Sequence, residues 1–303
     1  MKHSLQITLI LVAVFFLSQV AGLAVTNKYI AEKVVDAETG EVIEITYSEL
    51  PFDIQRPQIE ESKSYIFIIT AIMIGTVLVL LLVKFRSVKV WKTWFFLSVA
   101  LCLTISFAAF INQILAIVLA VGIAIWKIWK PNFIVHNLSE IFIYGGLAAI
   151  FVPIMNLFAI VILLVLISIY DMIAVWQSKH MVKMAQFQTQ SRVFAGLSIP
   201  YQLPKGKTAK IQMKPHHAPK KGAHVKTEEI KTAILGGGDI GFPLLFAGVL
   251  MKSVGFLKVL VIPIVVSVGL FLLLYFAKKD RFYPAMPFLS AACFVGYGVL
   301  LLI

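Results

Sequence analysis

The chain is written in long apolar blocks, divided by short stretches that hold almost all of its charge. A helix crosses the hydrocarbon layer of a bilayer with about 20 predominantly apolar residues. Blocks near that length fall at residues 4–25, 64–83, 94–111, 112–126, 133–152, 156–177, 232–251, 259–277 and 282–303. They predict an all-α polytopic membrane protein with nine transmembrane helices. The third and fourth blocks meet at a tight turn near Asn112 and Gln113. Fused into one span, they would put Lys127 and Lys130 on the wrong side of the membrane. Composition agrees: of 303 residues, 60% are hydrophobic and only 14% charged, where a soluble domain carries roughly 25% charged residues. A soluble globular protein is excluded. Cys102 and Cys293 both lie inside apolar blocks, which argues against a disulfide scaffold or a cysteine zinc site.

The net charge of +12 would suit nucleic acid if it were evenly spread. It is segregated instead. Nine of the fifteen acidic residues lie between Glu32 and Glu61, and eleven of the 27 basic residues between Lys179 and Lys231. A bilayer imposes that pattern, because loops kept in the cytoplasm collect Lys and Arg. With the N-terminus inside, the cytoplasmic segments hold 21 basic residues and the outer ones 6. The C-terminus is then expected outside. Its lysine-dense part, residues 205–231, is rich in Lys, Pro, His and Gln and holds no aromatic residue, so no nucleic-acid partner is expected.

Residues 1–177 read as a six-helix N-terminal part, 178–231 as a basic cytoplasmic linker and 232–303 as a three-helix C-terminal part. The first apolar block is longer than the 7–15 residues of a signal-peptide core, so it reads as a retained helix. In the outer loop, 26–63, two alternating runs flank a turn at residues 38–40, the pattern of a β-hairpin. Four prolines and many lysines make 178–231 read as a mobile linker, with membrane lipid as a partner of its lysines. His216, His217 and His224 have no Cys or acidic neighbours, so neither a metal nor a cofactor is expected. Asn137-Leu138-Ser139 matches a glycosylation pattern but falls on the cytoplasmic side, and reads as chance.

With the loops set aside, two carboxylates stand well inside the spans, Asp171 in the sixth and Asp239 in the seventh; Glu140 lies nearer the cytoplasmic end of the fifth. Ionisable groups at membrane depth are expensive and mark functional sites or buried polar contacts. Eight residues separate Asp171 from Lys179, and eight separate Lys231 from Asp239. At about 1.5 Å rise per residue, both would lie about 12 Å below one boundary. Two carboxylates at one level on antiparallel helices have the geometry of an aspartyl dyad. Such a pair shares a proton, so one member can activate water while the other polarises a carbonyl.

Tyr170-Asp171 resembles the YD motif, and Gly236-Gly237-Gly238-Asp239 the GxGD motif, of the presenilin and signal peptide peptidase family of intramembrane aspartyl proteases. Pro284-Ala285-Met286-Pro287 resembles the family's PAL motif, with Met for Leu and a closing proline like the presenilin form. The three stand in the family's order, on its sixth, seventh and ninth spans. The resemblance implies an endopeptidase that cuts peptide bonds within transmembrane helices, with Asp171 and Asp239 catalytic. It implies a substrate-binding set of Tyr170, Gly236, Gly238, Pro284, Ala285, Met286 and Pro287. The partners it implies are transmembrane-helix substrates with their N-terminus outside. The compact chain looks like a prokaryotic cell-membrane member working without accessory subunits, with assembly into a homo-oligomer left open.

Each motif also has a structural reading. Three glycines serve close helix packing, the prolines kink a helix start, and Tyr170 is an interfacial aromatic. An ion or proton channel would explain two buried aspartates but not the proline segment. Prepilin peptidases share GxGD but have cytoplasmic cysteine pairs that this chain lacks. Pepsin-like proteases are excluded by the spans and by the absence of Asp-Thr/Ser-Gly.

Overall fold

The structure is a computed structural model that describes residues 4–35, 42–178, 193–200, 232–277 and 283–303, with Met184, Phe187, Gln188 and Ser191 between. The turn of the outer hairpin, the three loop histidines, most of the basic loop and residues 278–282 lie outside the described residues.

Among the described residues, nine helices match the nine apolar blocks. They are α1 (Leu5–Lys28), α2 (Ser64–Lys84), α3 (Val88–Ala108), α4 (Gln113–Trp129), α5 (Phe133–Phe151), α6 (Leu157–Met172), α7 (Gly237–Val254), α8 (Val261–Phe276) and α9 (Met286–Leu300). A wide turn over Ile173–Gln177 continues α6, and a helical turn at Phe256–Val259 leads into α8. Seven of these segments are long and apolar enough to cross a membrane, while α4 and α9 are shorter apolar helices. Asn112, Asn132 and Asn156 each accept a backbone N–H in the first turn of α4, α5 and α6. Those caps fix where the three helices begin.

Helix α1 sits among α5, α7 and α8, and α9 packs against α6, α7 and α8. The main core runs through these elements, with Leu11, Phe15, Leu163, Leu244, Phe246 and Leu289 shut away. Helices α3 and α4 pack on each other beside α5 and close a second cluster around Trp91, Leu103 and Ile128. Helix α2 stands at the edge and buries little besides Ser64 and Ile68. Wide apolar exposure, as at Ile74 and Val77, suits a surface whose solvent is lipid.

The outer loop forms the expected hairpin, β1 (Ile30–Val35) antiparallel to β2 (Val42–Tyr47). Its Lys33 Nζ donates to the carbonyls of Met251 and Lys252 at 2.9 and 2.8 Å, capping the C-terminus of α7. Burial there holds the Lys33 ammonium below the usual lysine pKa. Arg56 Nη1 donates to Ser48 O at 2.9 Å, and its guanidinium lies 5.8 Å from the rings of both Tyr29 and Tyr47.

Two stretches depart from the expectation. Residues 232–236, read as the start of a helix, form strand β4 (Thr232–Gly236). Gly196–Pro200, read as linker, forms strand β3 and pairs antiparallel with β4 in the register Gly196↔Gly236 to Pro200↔Thr232. The apolar side chains of Ala233 and Leu235 are buried while Ile234 between them is exposed, an alternation of strand period rather than helix period.

Candidate active site

Strand β4 runs directly into α7, so Gly236 is both the last strand residue and the helix N-cap. Asp239 therefore lies in the first turn of α7. Its carboxylate turns back toward the N-cap, where a Cβ on Gly236 would lie 3.3 Å from Asp239 Oδ2. That is the direction of the backward half of a capping box, in which an acidic side chain in the first turn returns to the N-cap. Pro243, four residues on, has no N–H, which leaves the Asp239 carbonyl without its helical donor. The next carbonyl, of Ile240, accepts from Gln19 Nε2 on α1 at 2.8 Å. The first turn of α7 is thus held by side chains as much as by its own ladder.

Asp171 occupies the last turn of α6 and is 6% exposed. The backbone N–H of Met286 donates to its Oδ2 at 3.1 Å, with the N–H of Ala285 beside it. Ala285 is the N-cap of α9, and Pro287 lies in its first turn. The proline segment therefore opens α9 rather than kinking it, since a proline in a first turn forfeits no helical hydrogen bond. Tyr283 and Pro284 precede the helix outside any regular element, with Pro284 buried, and Ala285 already has helical backbone angles. Expected partners of the dyad, Ala285 and Met286, are thereby brought against Asp171 through their main chain.

Asp239 lies close enough to Asp171 to feel its charge. Each carboxylate sits at the positive N-terminal end of a helix: Asp239 on α7 itself, Asp171 against α9. Helix N-termini favour negative charge. Two of them converge here, one at each carboxylate. The equal depth inferred from eight residues of helix on each side does not apply on the Asp239 side, because five of those eight residues are β4.

The remaining expected residues fall as follows. The Tyr170 hydroxyl is 3.0 Å from Thr76 Oγ1, which places Tyr170 at the junction of α6 with α2. A Cβ on Gly236 would come within 3.3 Å of Asp239 Oδ2, and one on Gly238 within 3.4 Å of the Phe242 ring. Gly237, the variable position of GxGD, is the tightest of the three: a Cβ there would stand 2.7 Å from the Tyr144 hydroxyl.

A polar cluster next to this turn went unread. Lys127 and Glu140 form an ion pair at 2.6 Å with side chains 2% and 1% exposed. The sequence pattern assigns Lys127 to a cytoplasmic segment and Glu140 to the cytoplasmic end of its span; in the structure both side chains are shut inside the fold. Their mutual proximity, across the turn between two adjacent apolar blocks, was the available signal. Pro243 could have been read from its spacing to Asp239, and Gln19 from its polarity within the first block. Among the described residues no group of side chains is arranged to hold a metal.

Fold and site together define a multi-pass membrane protein with one aspartate on its sixth helix and another on its seventh. Matched against known families, the chain fits the one described as signal-peptide peptidase, presenilin aspartyl protease, over residues 39–303. It belongs to that family, whose members are intramembrane aspartate proteases acting on membrane proteins. Comparison with curated protein sequences finds no match. Among solved structures, it resembles that of a presenilin family intramembrane aspartate protease in a C222 crystal form, at a TM-score of 0.59 and 16% identity, covering 97% of this chain and 98% of that one. A P2 crystal form gives 0.58 and 16%, covering 97% of each chain. The likeness extends over the whole fold.

Proposed function

We propose that the chain hydrolyses peptide bonds within transmembrane helices, with Asp171 and Asp239 as its catalytic pair. The supporting observation is the convergence of two helix N-termini on two carboxylates within range of each other's charge. Asp171 is held by the backbone N–H of Met286, and Asp239 lies in the first turn of α7 beside its N-cap, Gly236. Sharing one proton, the ionised member takes a proton from water as it attacks the scissile carbonyl. The protonated member hydrogen-bonds the carbonyl oxygen and stabilises the charge that develops there. Proton return to the leaving nitrogen restores the pair.

A helical substrate hides its carbonyls in its own hydrogen bonds, so it must be locally extended before attack. Gly236, Gly238 and the Pro284–Pro287 segment border the pair and form the binding set for that extended stretch, with Tyr170 at its α2 side. The outer edge of β4 offers main-chain partners beside Asp239, the mode of strand addition. The segregation of charge supports an N-terminus and basic loop in the cytoplasm and a C-terminus outside. It follows that substrates would have their N-terminus outside, in a prokaryotic cell membrane.

The test is incubation of purified protein in detergent with a labelled single-span peptide, products being sized by mass spectrometry. Cleavage inside the apolar stretch is expected. Intact peptide, together with proton flux through the protein in liposomes, would favour a channel instead.

A further inference from the structure

We propose that Glu140 and Tyr144 on α5, braced by Lys127 on α4, are positioning residues that fix the first turn of α7 and with it Asp239. The inference rests on the two-aspartate reading above.

Both carboxylate oxygens of Glu140 are engaged. Its Oε1 takes Lys127 Nζ at 2.6 Å, and its Oε2 takes both the Tyr144 hydroxyl at 2.5 Å and the backbone N–H of Gly196 at 3.1 Å. Lys127 also donates to Ser139 Oγ at 2.8 Å. An α4–α5 brace alone would need only the ion pair. Here the same carboxylate reaches β3 and, through Tyr144, the wall of α7.

Two contacts turn this into a device for placement. First, the hydroxyl that Glu140 holds fills the space a Cβ on Gly237 would need, two residues before Asp239, and the Tyr144 ring faces Gly241 one turn on, where a Cβ would lie 3.8 Å from it. Second, Gly196 is pinned at both ends of its peptide: its N–H by Glu140, its carbonyl by His136 Nε2–H at 2.8 Å. Asn137 does the same for Ser198, accepting its N–H at 2.9 Å and donating to its carbonyl at 2.8 Å. Helix α5 thus stands in for a third strand along β3. Gly196 has φ +129° and lies so close to β4 that a Cβ would overlap Leu235 O and come within 3.0 Å of Gly237 N. Strand β4 and the start of α7 therefore rest on a surface that α5 sets from two directions. Asp239 has little freedom left.

Positioning of one carboxylate predicts a loss in turnover without a matching loss in substrate affinity. Tyr144→Phe keeps the ring and removes only the hydroxyl; Glu140→Gln keeps the shape and removes the charge. Both are compared with wild type and Asp239→Asn on one labelled single-span peptide, with rates taken per folded protein and melting followed in parallel. Tyr144→Phe is expected to lower kcat roughly tenfold and Glu140→Gln more, with KM held within about twofold, because small displacements of a reacting group cost rate steeply. Should Glu140→Gln fail to fold, the uncharged pair Lys127→Met with Glu140→Gln gives the same reading. Wild-type kcat in folded Tyr144→Phe overturns the proposal whatever its melting temperature, and so does a raised KM at unchanged kcat. An inactive wild type or an active Asp239→Asn would instead overturn the two-aspartate reading beneath it.

Discussion

Gly237→Ala tests whether the wall behind the candidate site is rigid. The new methyl would lie 2.7 Å from the Tyr144 hydroxyl and 3.4 and 3.5 Å from two ring carbons. Ordinary contact begins near 3.4 Å, so the hydroxyl contact alone requires roughly 0.7 Å of movement in a close-packed interior. Tyr144 is tied to Glu140 at 2.5 Å, and Glu140 to Lys127 at 2.6 Å, so the start of α7 must yield instead. Overpacking of this kind costs about 1–3 kcal/mol, a fall of roughly 2–5 °C in melting temperature for a chain of this size. The displaced turn carries Asp239, and kcat should drop about 10- to 100-fold. Combining the change with Tyr144→Phe removes the 2.7 Å contact and leaves only the two near-ordinary ones. The double variant should then be more stable than the sum of the single losses predicts, by about 1 kcal/mol. Thermal melts in one detergent give the stability cycle, and peptide turnover the rate. Strict additivity, or wild-type melting and turnover for Gly237→Ala, would refute the reasoning.

Two further outcomes follow from the chain's polarity and its proline segment. Single cysteines placed in the 179–231 loop, in a background free of Cys102 and Cys293, should be labelled only from the cytoplasm and one near Thr39 only from outside. The reverse pattern would invert the substrate class. Pro284→Ala should cut turnover sharply while melting shifts little, because the segment starts α9 and carries the Met286 N–H that holds Asp171. Near-normal cleavage by both Pro284→Ala and Pro287→Ala would leave the prolines a structural role only.

Hydropathy made the helices legible because lipid leaves little choice of element. It recovered α2 almost to the residue, where Ser64 and Lys84 bracket the apolar run. It started α3 six residues late, at Trp94, because that helix opens with Val88–Lys92, whose lysines a hydropathy window discards. Strand β4 was hidden for the opposite reason: Thr232–Gly236 is apolar and contiguous with α7, so it merges into one block. Its partner lies some 36 residues upstream at Gly196–Pro200, a separation that no local period reveals. The aspartates stood out by charge and motif. Their main-chain neighbours did not, since they depend on where α9 and β4 begin and end. Lys127 and Glu140 were visible only as two boundary charges, and their burial is a product of packing among α4, α5 and β3.

Replacing each aspartate by asparagine bears most directly on the central claim. Asparagine keeps nearly the shape of aspartate and its carbonyl oxygen but cannot exchange the proton. Each substitution also removes a carboxyl that is costly to bury when charged, so both variants should fold and melt near wild type. Turnover of a labelled transmembrane peptide is measured for wild type, Asp171→Asn, Asp239→Asn and the double variant in one detergent across a range of pH. Wild type should lose activity at both acid and alkaline extremes, where the pair is doubly protonated or doubly ionised. Each single variant should fall by at least about 10²–10⁴-fold, with the double variant no worse, because the pair acts as a unit. A folded Asp239→Asn that keeps a third of wild-type cleavage would contradict the account.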